Sequence, residues 1–240
     1  MCHTDGGDMK NRFFSAILWF LAAVLCRAQT NWTAGEDLFM RNKPGEAAVY
    51  FENAVAQDPG DIKTFLYLGI AYEQLGRTDE AIAVYRQVLD RAGDLTANAA
   101  CNLGNAYFKK GSVSEAEAMY TQALNADRAY APAYLGRANA RIKQNKPKDA
   151  VSDYEQYLLL EPLSLQRQSV ERLVNYIKTE LAEAERKRIM AEEAARAEVE
   201  RRQRLLDEVS ASLHSAAGAS QGLSTGAENV EGYDGEFELE

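Results

Sequence analysis

The sequence predicts an all-α protein: a solenoid of helix-turn-helix units followed by a long charged C-terminal helix. Three observations carry that reading. Only five prolines occur in 240 residues, which suits helix, where proline is tolerated only in the first turn. A block of about 34 residues recurs through the middle of the chain. From Glu180 to Arg204 the chain is almost all Ala, Glu and Arg (ELAEAERKRIMAEEAARAEVERRQR).

The first element reads as an address. Lys10 and Arg12 precede an apolar run from Phe13 to Cys26 (FFSAILWFLAAVLC), followed by Arg27 and Ala28. These are the charged, apolar and small-residue parts of a secretory signal peptide, so residues 1–28 are expected to be cleaved after Ala28. The run has 14 residues, whereas a spanning helix needs about 20; an uncleaved membrane anchor is the alternative. Met9 is the expected start, because the preceding MCHTDGGD carries two aspartates. Lipid attachment at Cys26 is a lesser alternative, since Leu25 stands where lipoboxes place Gly, Ala or Ser.

The next element is the repeat. TFLYLGIAYEQLGRTDEAIAVYRQVL and AACNLGNAYFKKGSVSEAEAMYTQAL share one frame at an offset of 35 residues, and YLGRANARIKQNKPKDAVSDYEQYLLLEP continues it. Four units follow, at 28–61, 62–95, 97–130 and 131–164. Within the second, Phe65, Leu68 and Tyr72 make an apolar stripe on one helix, and Ala81, Val84, Tyr85, Val88 and Leu89 another. Gly76 suits the left-handed residue after the first helix, and Thr78 or Asp79 the N-cap of the second. Small residues at Gly69 and Ala81 let the two helices approach closely. One unit cannot bury both stripes alone, but stacked units share a continuous core.

This pattern resembles the tetratricopeptide repeat, whose signature is W-x2-L-G-x2-Y, then A-x3-F, then proline. The second unit carries Phe65, Leu68, Gly69, Tyr72, Ala81 and Tyr85; the third carries Leu103, Gly104, Tyr107, Ala116 and Tyr120; the fourth carries Ala150 and Tyr154. The resemblance spans residues 28–164 and departs from the signature at both ends. Ala34 and Leu38 replace the expected Leu and Tyr in the first unit, which predicts a frayed first helix, and Arg137 and Arg141 replace them in the fourth.

The resemblance implies a right-handed superhelix whose first helices line a concave groove. Its ligand-contact slots fall on Lys63, Leu66, Tyr67, Ile70, Glu73 and Gln74 in the second unit. In the third they fall on Asn98, Cys101, Asn102, Asn105, Phe108 and Lys109, and in the fourth on Leu135, Asn139, Ile142 and Lys143, with Arg141 nearby. Asn105 and Asn139 occupy the same slot one unit apart and could offer side-chain amides to an extended peptide. Lys109, Arg141 and Lys143 would add positive potential suited to an acidic segment or a C-terminal carboxylate. The fifth slot reads Trp32, Leu66, Cys101 and Leu135, so the lysine clamp some relatives use for chaperone C-termini is not reproduced. Cys101 is expected to be a small apolar filler. Arg137 and Arg141 are expected to pair with Asp149, Asp153 or Glu155.

After Pro162, Leu165, Val170, Leu173, Val174, Ile177 and Leu181 keep helical spacing, predicting a capping helix over 165–181. Residues 180–214 read as a long charged helix or weak coiled coil. Glu183-Lys187, Glu192-Arg196, Glu198-Arg202 and Glu200-Arg204 are favourable i, i+4 pairs, each worth about 0.2–0.5 kcal/mol. Residues 215–240, rich in Gly and Ser and then in acids, are expected to form a disordered tail.

Composition narrows the function. With 27 Lys+Arg against 36 Asp+Glu the chain has net charge −9, unlike a protein built to grip a phosphate backbone, so no nucleic-acid partner is expected. Cys2, Cys26 and Cys101 lie far apart, as do His3 and His214. No metal or nucleotide motif occurs, and no cofactor, metal or catalytic residue is expected. The mature chain would keep one cysteine and no intramolecular disulfide. Together these features predict a non-enzymatic protein-interaction scaffold of the cell envelope or periplasm. Its partner would be a protein or peptide bound through the groove, the charged helix, or both. A membrane would be met only through an uncleaved N-terminal segment. Self-association through the C-terminal helix is one alternative. Another is a small-molecule carrier or enzyme using the groove as its pocket, although Glu36 and Glu73 have no histidine or cysteine pair nearby to work with.

Overall fold

The computed structural model describes the backbone of residues 30–226 and the side chains of residues 30–218. The expected signal segment, 1–28, and the end of the tail, 227–240, lie outside the described residues. Among those described, every element is helical: α1 (30–40), α2 (Pro44–Gln57), α3 (Ile62–Gln74), α4 (Thr78–Leu89), α5 (Thr96–Lys110), α6 (Val113–Ala126), α7 (Ala131–Lys143), α8 (Pro147–Leu160) and α9 (Arg167–Gly226). A 3₁₀ turn, Gly93–Leu95, leads into α5. Each helix from α2 to α8 packs on the next, and α3, α5 and α7 also touch their neighbours in that set. That pattern of contacts makes a solenoid, with α3, α5 and α7 forming one wall.

One turn geometry joins the two helices of every pair. Asn42, Gly76, Gly111 and Asn145 all have positive φ, and each ends its helix with the same two bonds. At Gly76, the N–H of Gly76 donates to Glu73 and that of Arg77 to Tyr72; at Asn145, the N–H of Asn145 donates to Ile142 and that of Lys146 to Arg141. This is the Schellman arrangement, which satisfies carbonyls that a helix end would otherwise strand. It also corrects the expected N-cap. α4 starts at Thr78, and its N-cap is Arg77, which makes no side-chain cap bond. Arg77 already serves the turn before it, so no residue is left between the two helices to act as a dedicated cap.

The core is an aromatic column. Phe51, Tyr85, Tyr120 and Tyr154 recur every 34 or 35 residues and are buried to 2% exposure or less. Burying each such ring contributes about 1.5–3 kcal/mol. Three of them lie against glycine: a Cβ at Gly35 would come within 2.7 Å of Phe51, one at Gly104 within 2.8 Å of Tyr120, and one at Gly69 would overlap Tyr85. The fourth unit places buried Ala138 in the glycine slot. α1 is helical from residue 30, contrary to the expected fraying. Trp32 and Phe39 hold it, with ring centroids 5.6 and 6.4 Å from Phe51, so aromatic packing replaces the missing signature residues.

Contacts divide the chain into two units, one ending at Lys178 and the other beginning at Thr179. Within the first, Val170, Val174 and Ile177 are buried along one face of α9, while Leu165 precedes the helix and is fully exposed. Lys178 pairs with Glu155 at 2.6 Å. Within the second, the side chains described from 182 onward are exposed. Glu200 and Arg204 form one of the expected pairs, at 3.4 Å, but Glu192 turns to Arg188.

Two expected boundaries are not seen. The capping and charged helices are a single helix, and it runs on from Ser215 to Gly226. Extending an existing helix avoids the cost of nucleation, and Ala216, Ala217 and Ala219 are strong helix formers. No helix among the described residues is long and apolar enough to cross a membrane.

Candidate functional site

The wall formed by α3, α5 and α7 carries the expected ligand slots, and the structure sorts them into three groups. Around α3 they are filled from within. Tyr67 packs against Trp32 and Phe39 at 5.0 and 5.6 Å between ring centroids, and the Lys63 ammonium sits 4.6 Å over Trp32. Glu73 accepts a 2.7 Å hydrogen bond from the Tyr85 hydroxyl, and burial raises the pKa of its carboxyl. These three side chains are bound up in the fold.

The second group comprises the cations expected to draw an acidic ligand. Lys109 donates through Nζ to the backbone carbonyl of Glu73 at 2.6 Å. Arg141 donates to Glu117 at 2.9 Å and to Asp153 at 2.8 Å. Asp153 is 3% exposed and also receives two bonds from Arg137, at 2.9 and 2.7 Å. Asp153 is thus the expected acidic partner, while Asp149 offers Arg141 only its backbone carbonyl. Glu117, from α6, completes the network with Lys146 and Gln144. Burial alone would raise its pKa, but the bonds from Lys146, Arg141 and Gln144 pull it down to about 2. Of the three cations, Arg141 is therefore neutralised by carboxylates, whereas Lys109, held to a backbone carbonyl, and Lys143 are exposed and make no ion pair among the described residues.

The third group is a depression of about 320 Å³ between α5 and α7, lined by Cys101, Asn105, Phe108, Tyr120, Pro132, Leu135, Gly136 and Asn139. Its two asparagines are held alike. Tyr120 donates its hydroxyl to Asn105 Oδ1 at 2.8 Å, and Tyr154 donates to Asn139 Oδ1 at 2.6 Å. Each column tyrosine thus fixes an amide whose Nδ2 donors remain available on an exposed residue. In the second unit that slot is Ile70, and the hydroxyl of Tyr85 reaches Glu73 instead. Cys101 is a buried wall residue, its thiol pushed up to about 12 by burial and by the nearby Glu73. Asn102 is half-buried on α5 and does not line the depression.

Register alone brings Asn105, Phe108 and Asn139 together, as the slots predicted. It does not reveal Pro132 and Gly136. The signal for Gly136 is that the same slot holds Tyr67 and Asn102 in the preceding units. A Cβ at Gly136 would overlap the Tyr120 ring, so this opening is built into the way Tyr120 packs.

The fold and site define a helical-repeat interaction surface. Family comparison identifies the repeat: tetratricopeptide repeat patterns match residues 60–129 and 101–164. Such repeats are protein-interaction modules. Among curated proteins, RNA polymerase II-associated protein 3 of Mus musculus is 34% identical over 107 residues, covering 45% of this chain and 16% of that protein. The Homo sapiens protein of that name is 38% identical over 96 residues, covering 39% and 14%. The chain thus spans under a fifth of the length of these relatives. Among solved structures, Pseudomonas aeruginosa pilF superposes with a TM-score of 0.58 at 16% identity, covering 68% of this chain and 74% of that one. MamA superposes at 0.55 with 20% identity, covering 64% and 83%. At these identities the likeness is one of fold.

Proposed function

We propose that this chain is a non-enzymatic scaffold of the cell envelope that holds an extended segment of a partner protein along the α5–α7 wall. The observation that carries the binding reading is the pair Asn105 and Asn139. Each is fixed through Oδ1 by a column tyrosine and left with free amide donors beside an apolar depression. That pattern suits main-chain carbonyls of a peptide lying across two units. A photoreactive residue at Phe108 tests it in the native host, with exposed Gln87 on α4 as control. A discrete protein adduct at 108 and none at 87 is expected. No adduct at 108, or equal adducts at both, contradicts the reading.

The envelope location rests on Lys10, Arg12, the Phe13–Cys26 run and the small residue at Ala28. N-terminal sequencing of protein from fractionated cells tests it. A chain starting at Gln29 in the soluble envelope fraction is expected; an intact leader on protein found only in the cytosol contradicts export.

Self-association through α9 is the second reading. Val199, Leu206 and Leu213 recur every seven residues on exposed helix, although Arg202 interrupts the seam. Light scattering that finds a monomer with and without residues 180–226 removes it.

A further inference from the structure

We propose that the depression between α5 and α7 is a socket for one uncharged, apolar side chain of the partner segment, with the Asn105 and Asn139 amides holding the main chain on either side. This rests on the peptide-groove reading above and names the chemistry of the residue bound. The expectation from sequence was an acidic ligand, and the structure points the other way on three counts.

The first is shape. The socket exists because position 136 has no side chain where the preceding units carry Tyr67 and Asn102. Tyr120 lies so close to Gly136 that even a methyl there would collide with its ring. The chain cannot fill this space itself without displacing a core residue. At about 320 Å³ it sits at the small end of ligand pockets, which run from about 300 to 1,000 Å³. That volume admits an aliphatic or aromatic side chain together with the main chain on either side of it.

The second is the wall. Phe108, Leu135 and Pro132 are apolar, and no ionised group lines the socket. Burial keeps the Cys101 thiol neutral, and the Tyr120 hydroxyl is spent on Asn105. A carboxylate or ammonium entering here would lose its hydration and gain no counter-ion, which is strongly unfavourable.

The third is the surroundings. Lys109 is bound to the Glu73 carbonyl, and Arg141 is shared by Glu117 and Asp153. The Arg141 charge is thus met within the fold, and neither cation lines the socket. What remains is a pair of neutral hydrogen-bonding groups beside an apolar hole, which recognises a backbone and one apolar anchor.

The test titrates isotopically labelled full-length protein with acetyl-Gly-Ser-Gly-Xaa-Gly-Ser-Gly-amide peptides, Xaa being Leu, Phe, Glu or Lys. The readout is the side-chain amide signals of Asn105 and Asn139, assigned with Asn105→Ala and Asn139→Ala. The Leu and Phe peptides are expected to shift both signals and to bind at least tenfold more tightly than the Glu and Lys peptides. Leu135→Glu, with its helical content checked by circular dichroism, is expected to abolish that preference and favour the Lys peptide. If the Glu peptide binds as well as or better than the Leu peptide, the anchor chemistry is wrong and the groove reading survives. If no peptide moves either amide, the groove reading falls and the socket falls with it.

Discussion

The two halves of the wall formed by α3, α5 and α7 use the same slots to opposite ends. At α3 the chain fills its own groove: Trp32, Phe39 and Tyr67 pack together and Lys63 lies over Trp32. At α5 and α7 the corresponding slot is empty at Gly136, and the asparagines beside it keep spare donors. One repeat frame can thus be closed or open at a given place by a single slot. The open place leaves unmade the contacts that the fold makes for itself at α3.

The largest effect should come from Tyr120, which packs on Gly104 in its own unit and on Gly136 in the next. Tyr120→Ala is expected to lower stability by about 3–5 kcal/mol, the range for emptying a buried aromatic site, as read by urea denaturation. Tyr67→Ala should cost less, because that ring is only half-buried; equal losses would erase the distinction between the two halves.

Next is the charge network that ties α6, α7 and α8. Asp153→Ala leaves Arg137 and Arg141 facing each other without their shared carboxylate, and a loss of about 3 kcal/mol is expected, as for a broken buried pair. The network should also show in acid. Glu117 has its pKa lowered to about 2 in the folded chain, against about 4.3 unfolded. Its contribution to stability is therefore fully present above the unfolded value and is lost as pH falls from there through about 2. Glu117→Gln should flatten that part of the stability-pH curve while leaving the curve above pH 6 parallel to the parent's.

The smallest effects should distinguish the four turns. Gly76→Ala and Gly111→Ala put a Cβ on a left-handed residue and should each cost about 1 kcal/mol. Asn42→Gly and Asn145→Gly relieve that constraint and should change stability by only a few tenths of a kcal/mol.

Much of this was legible in the sequence, because repeat spacing is a one-dimensional signal. The offset of 34 or 35 residues identified the helix pairs, the turn at Gly76, the aromatic column and the slots of Asn105, Phe108 and Asn139. The misses are properties of neighbours in space. Lys109 looked free in sequence, since the carbonyl it binds belongs to Glu73, 36 residues earlier. Arg141 pairs with Asp153 as expected, but its second partner, Glu117, approaches from α6 and was not foreseen. Gly136 carried no expectation in the sequence, because its role comes from the Tyr120 ring that lies on it. The boundary at Ser215 failed for a different reason: composition reports the propensity of a segment in isolation, and this one continues a helix already formed.

The most direct test of the contrast between the filled and open halves maps where the Leu-guest peptide perturbs backbone amide signals across α3, α5 and α7. Shifts are expected to cluster at Asn105, Phe108, Leu135 and Asn139, with Lys63, Tyr67 and Glu73 unmoved. Shifts centred on α3, or spread evenly along the wall, would contradict it.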